Sequence, residues 1–129
     1  MGKKIAQIKD LKVGKYVLID NEPCKVTSVV HSKPGKHGGA KARIDAVGIF
    51  DGQKRSMLGP VGQNIEIPII DKRTAQVLNI IGERVQLMDM ESYETFELEK
   101  PPDLKGELSQ GGNVLYMDVM GKRKILQVL

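Results

Sequence analysis

The chain has 129 residues, of which 40% are hydrophobic, 28% charged and 4% aromatic, with one Cys, two His, no Trp and a formal charge of +4. The single Cys24 excludes an intramolecular disulfide framework and fits a reducing compartment, and so thin a Cys/His inventory, without a Cys-x-x-Cys, makes no zinc site. No apolar run approaches the ~18 residues of a membrane span. The N-terminus lacks a signal core, and Ala6 stands where a myristoylation signal wants Ser or Thr, so a soluble cytoplasmic protein is expected.

Residues 2–4 read as a short basic, mobile lead, and residues 5–11 as a brief extended or turn segment. Tyr16-Val17-Leu18-Ile19 is a compact β-type run, closed by the turn residues Asp20-Asn21-Glu22-Pro23. From Cys24 to His31 the alternation predicts a strand, with Cys24, Val26, Ser28 and Val30 on one face and Lys25, Thr27, Val29 and His31 on the other. Cys24 reads as a small core residue and His31 as structural. A second strand is expected over residues 42–50, where Ile44, Ala46, Gly48 and Phe50 alternate with Asp45, Val47 and Ile49.

Between these two strands lies Ser32-Lys33-Pro34-Gly35-Lys36-His37-Gly38-Gly39-Ala40-Lys41. Its glycines and proline can continue neither a helix nor a ladder, so it reads as a hairpin loop of about nine residues, where ~2–5 is usual. No carboxylate occurs between Glu22 and Asp45, whereas Lys25, Lys33, Lys36, Lys41 and Arg43 all do. Long polar loops with a presented cation are candidates for function, although a charge run is often only a wet surface. Lysine can lose its proton and act as an amine nucleophile, and glycine neighbours allow close approach by another protein. A nucleotide-binding P-loop is excluded, since it needs glycine where Val30 stands and Ser or Thr where His37 stands. A catalytic Schiff-base lysine is disfavoured in so polar a setting, because that chemistry wants desolvation.

Asp51-Gly52 is a tight-turn signal. Residues 54–58 and 63–67 give two further short strands around Gly59-Pro60-Val61-Gly62, so the first part of the chain reads as a small barrel or sandwich. Pro68-Ile69-Ile70-Asp71 marks a boundary, because the charge balance changes sign there. Residues 1–70 hold 12 Lys+Arg against 6 Asp+Glu, and residues 71–129 hold 8 against 10. A basic half beside a mildly acidic one points the first half at a polyanion. Strands over 74–81, 84–90, 93–99, 113–120 and 124–129, with an irregular excursion and at most one helical turn after Pro101, fit an OB-type barrel. The scattered tyrosines Tyr16, Tyr93 and Tyr116 make no base-stacking platform, and Met57, Met88, Met90, Met117 and Met120 read as core filler.

The run around Gly35-Lys36-His37-Gly38 resembles the modification loop of the translation initiation factor 5A family, whose lysine becomes hypusine or deoxyhypusine. Pro34 is similar to the archaeal variant of that loop, and Pro34 and Gly39 stand where the eukaryotic form has threonine and histidine. The resemblance implies an all-β chain of two small barrels, an SH3-like domain over 1–70 carrying the loop 32–41 and an OB fold over 71–129. It implies no room for the third domain of bacterial elongation factor P or for the eukaryotic C-terminal extension. It assigns Lys36 a spermidine-derived aminobutyl group added by deoxyhypusine synthase, flanked by Gly35, His37 and Gly38, and no separate cofactor or small-molecule substrate. It also implies a non-enzymatic factor on the ribosome, near ribosomal RNA and the P-site tRNA. Lys33, His37, Lys41 and Arg43 are then expected to contact RNA, with a plain, unmodified RNA-binding module as the alternative.

Overall fold

The computed structural model describes residues 2–32 and 40–129. Lys33–Gly39, and with them Lys33, Gly35, Lys36, His37 and Gly38, lie outside the described residues. The chain divides into two compact units, Met1–Ile69 and Ile70–Leu129. Both are antiparallel β structures, and among the described residues the sole helical element is one 3-10 turn, Ile8–Asp10.

The first unit contains β1 (Lys3–Gln7), β2 (Tyr16–Ile19), β3 (Glu22–Ser32), β4 (Lys41–Gly48), β5 (Lys54–Pro60) and β6 (Asn64–Pro68). Strands β2-β3-β4-β5 form one sheet in that order, and β1 pairs with β6. This is the small SH3-like barrel. Ala42, Ile44 and Ala46 of β4 are fully buried, as their alternation dictates, and pack with Val17, Cys24, Val26 and Ile65. Burying a side chain such as Ile44 contributes about 1.5–3 kcal/mol, which commits the opposite face of β4 to solvent.

Two expectations fail in this unit for identifiable reasons. The basic lead is not loose, because Lys3 and Lys4 are strand residues opposite Pro68 and Ile67, with Lys3 3.1 Å from Glu66. The alternation of β3 also does not run through. A β-bulge at Thr27 inserts one extra residue, with pairing passing from Val26↔Ala46 to Ser28↔Asp45, and its hydroxyl donates to the Asp45 carbonyl at 3.2 Å. Past the bulge the faces exchange. Val29 therefore packs on the core, while Val30 is 55% exposed. His31 is exposed rather than structural.

The second unit contains β7 (Asp71–Ile81), β8 (Arg84–Asp89), β9 (Thr95–Glu99), β10 (Asn113–Val119) and β11 (Lys122–Val128), in the order β11-β10-β7-β8-β9. β9 approaches β11, which curls the sheet toward closure in the OB arrangement. Its core is Ala75, Val77, Val85, Leu87, Val114, Tyr116 and Ile125. The segment after Pro101 forms turns rather than a helix, and Leu104 and Leu108 pack its loop against that core. Met117 is buried, but Met90 and Met120 are 40% exposed at turns and are not core residues.

Candidate functional site

The β3–β4 hairpin frames the loop that bears Lys36. Its two strands pair out to Ser32↔Lys41, so the connecting residues begin and end at adjacent positions of one ladder. The C-terminal side of that base is tied to the rest of the unit. Ala40 accepts a hydrogen bond from the Val61 N–H at 3.0 Å, and the Val61 carbonyl accepts from the Lys9 N–H at 2.9 Å. Ile8 N–H donates to the Gln63 carbonyl at 3.1 Å, which joins the 3-10 turn to the β5–β6 connection. A Cβ at Gly59 would displace the exposed Gln63 carboxamide and press on Ile8 Cδ1.

Beyond that base, cations stand on the outward face of the sheet. Lys41 and Arg43 are two apart on β4 and both exposed, so the structure places these two expected RNA contacts on one surface. Arg43 Nε donates to Asp45 Oδ1 at 3.3 Å, with 61% of the Arg43 side chain exposed. An exposed pair of this kind contributes only about 0–1 kcal/mol, so a phosphate can replace the carboxylate at little cost. Two further lysines join them, Lys25, named in the sequence only as part of the basic run, and Lys54, not singled out there. Lys25 and Lys54 both lie opposite Val47, in register on β3 and β5, and share this face. The spacing alone could have found Lys54, but only the pairing register brings Lys25 beside it.

The far end of the hairpin is locked. Arg55 makes a two-pronged contact with Asp51, Nη1 to Oδ1 at 3.1 Å and Nη2 to Oδ2 at 2.8 Å. The guanidinium lowers the Asp51 carboxyl to about 2. A Cβ on Gly48 would overlap that pair. Cys24 is buried, its thiol donates to the Glu22 carbonyl at 3.3 Å, and burial pushes its pKa up, so it is no nucleophile. No cluster of three or more His, Cys, Asp or Glu able to hold a metal occurs among the described residues, and none of their helices is long and apolar enough to cross a membrane.

The second unit uses its arginines on itself. Asp89, 1% exposed, accepts from Arg73 Nε at 2.6 Å and Arg73 Nη2 at 2.9 Å. It also accepts from the buried Tyr116 hydroxyl at 2.5 Å and from the Glu91 and Ser92 N–H groups, each at 2.8 Å. Arg73 holds the Asp89 carboxyl far below the usual carboxylate range, and burial together with the Asp89 contact pushes Tyr116 up to about 12. Arg123 pairs with Glu94 at 2.9 Å and Asp118 at 3.0 Å and lies 4.5 Å over the Phe96 ring. These are structural ties, and nothing in the sequence pattern announced them.

A small SH3-like barrel followed by an OB barrel defines a class, the two-domain β proteins that pair these two folds. Comparison with known proteins narrows it. The model for "Translation initiation factor 5A-like, N-terminal" matches residues 4–62, and that for "Eukaryotic elongation factor 5A hypusine, DNA-binding OB fold" matches residues 69–128. The translation initiation factor 5A of Methanosphaera stadtmanae is 57% identical, covering 98% of this chain and 96% of the relative. That of Methanothermobacter thermautotrophicus is 56% identical over 98% of each. The solved structure of the factor from Methanococcus jannaschii superposes with a TM-score of 0.94 at 45% identity, covering 100% of this chain and 98% of that one. A family protein from Naegleria fowleri gives 0.77 at 33% identity over 99% of each chain. The chain belongs to the translation initiation factor 5A family and has the fold and hypusine-domain match of a translation factor.

Proposed function

We propose that this chain acts on the ribosome, where Lys36, bearing a spermidine-derived aminobutyl group added by deoxyhypusine synthase, reaches the acceptor end of the P-site peptidyl-tRNA. The cation orders a substrate that otherwise samples unproductive poses, which favours peptide-bond formation, including at proline-rich stalls. Catalysis stays with the ribosome, in the cytoplasm, and this chain supplies position and charge. The unit over 1–70 presents the probe, with Lys33, His37, Lys41 and Arg43 against RNA, and the OB unit over 71–129 completes the factor.

The observation that carries this proposal is the Gly35-Lys36-His37-Gly38 context in a chain matched by a hypusine-domain family model. Support comes from the ladder ending at Ser32↔Lys41, which delivers the loop from a rigid base, and from the exposed Lys41 and Arg43 beside it. Peptide mass mapping of protein from its native cell tests it, with an aminobutyl-derived addition expected on Lys36 alone. Unmodified Lys36 in native material leaves the plain RNA-binding module in its place, and the addition on Lys33 or Lys41 instead overturns the assignment to Lys36.

A further inference from the structure

Pairing register defines a face on the first unit that the loop alone does not explain. Four rows cross β3, β4 and β5 on their solvent side: Ser32–Lys41–Pro60, Val30–Arg43–Leu58, Ser28–Asp45–Ser56 and Lys25–Val47–Lys54. The first row is the base of the Lys36 loop, and the last lies about 20 Å from it at ~3.4 Å per residue. Lys25, Lys41, Arg43 and Lys54 are all exposed. Glu22 lies on the opposite side of β3, so Asp45 is the one carboxylate of these three strands on this face among the described residues. Among the described residues, Lys25, Lys41 and Lys54 form no ion pair there.

The surface is shaped as well as charged. A cavity of about 580 Å³ opens over its lower half, lined by Arg43, Lys54, Ser28 and Ser56 together with Asp45 and the apolar Ala46 and Val47, with Lys25 outside its lining. The bulge at Thr27 makes this trough, because the extra residue bends β3. Lys25 and Lys54 stand two strands apart, about 10 Å, on either side of Val47. Arg43 and Lys54 beside the Ser28 and Ser56 hydroxyls offer the lysine, arginine and serine groups with which proteins hold phosphates, and Lys25 joins them through its register with Val47.

We propose that this outward face of β3, β4 and β5 is an RNA-backbone track, running from Lys41 past Arg43 to the Lys25–Lys54 row and seating phosphates beyond the reach of the Lys36 loop. It rests on the proposed ribosomal role and adds the direction in which the RNA leaves the loop. A protein partner fits the face less well. Its two exposed apolar residues, Val30 and Leu58 at 55% and 69%, are separated by Arg43 and make no continuous apolar centre, and lysine is depleted at the cores of protein interfaces.

The test uses the natively modified full chain and purified archaeal ribosomes carrying P-site tRNA, with affinity measured across a salt series. Lys25→Gln with Lys54→Gln removes two phosphate contacts, so the slope of log affinity against log salt should fall in magnitude by about 1.5. Lys25→Arg with Lys54→Arg should keep the parent slope, and Lys4→Gln with Lys12→Gln, outside these three strands, should keep it too. Thermal unfolding of each variant should match the parent, since all four lysines are exposed. A parent slope in the Lys25/Lys54 glutamine variant, while Lys41→Gln with Arg43→Gln lowers it, removes the track and leaves the ribosomal role standing. Absence of salt-dependent binding by the parent removes both. An unchanged slope with slowed aminobutyl incorporation makes the face a docking surface for the modifying enzyme and overturns the RNA assignment.

Discussion

The arginines of the second unit and the lysines on one sheet face of the first are used in opposite ways. In the second, Arg73 is consumed by Asp71, Asp89 and Glu91, Arg84 by Glu97 and Glu99, and Arg123 by Glu94 and Asp118. In the first, Lys25, Lys41 and Lys54 stand exposed without a carboxylate, and Arg43 has one weak exposed partner. A guanidinium forked onto a buried carboxylate is fold machinery, because neither group can be removed without stranding the other. A lysine on a sheet face without a counter-charge contributes little to folding and is available to a polyanion. Arginine thus ties the second unit together, as Arg55 does with Asp51 in the first, whereas the lysines of the β3–β5 face are left available to a polyanion.

The sharpest break in that comparison is Lys36→Arg. Arginine keeps the charge but stays protonated and cannot accept an aminobutyl group. Complementation should be lost while thermal unfolding stays within about 0.5 kcal/mol of the parent, as for a loop residue outside both cores. Growth equal to the parent means that Lys36 contributes charge alone, in the manner of Lys25 and Lys41.

Next in size is Asp89→Ala in the second unit. It strands the Arg73 guanidinium, the Tyr116 hydroxyl and two backbone N–H groups together, and should cost about 3–5 kcal/mol. Amide exchange, followed by NMR, should show the loss in β7, β8 and β10 and not in β3 and β4. The same contacts give a pH dependence. The folded carboxyl of Asp89 lies below its unfolded value of ~3.9, so its stabilisation is full above that pH and is lost as pH falls below it. Tyr116 acts at the other extreme, with stabilisation present below ~10 and lost as pH rises toward about 12. Asp89→Ala should therefore flatten the acid limb of the second unit's stability curve. An unaltered acid limb would move the acid sensitivity to other carboxylates.

The smallest effect sharpens the contrast in recognition. Lys41→Gln with Arg43→Gln should weaken ribosome binding about tenfold at moderate salt, and Lys122→Gln with Lys124→Gln by less. Arg123 is unsuitable for this comparison, because its neutralisation removes the Glu94 and Asp118 contacts and the stacking on Phe96. Equal losses from the two pairs would place the main RNA contact on the OB unit.

The sequence by itself determined much of this protein. Period-two alternation placed Ile44, Ala46 and Gly48 on one face of β4, and turn residues separated the strands of both barrels. The loop composition singled out Lys36, since glycine, proline and the missing carboxylates are local properties that no fold need reveal. Tertiary structure decided what depends on partners distant in the chain. β1 exists because β6 offers its edge, and the bulge at Thr27 exchanges the faces of β3, which leaves Val30 exposed. Asp89 meets Arg73 and Tyr116 from 16 and 27 residues away, and Lys25 joins Lys54 across β4, because cross-strand geometry sets those distances and sequence separation does not.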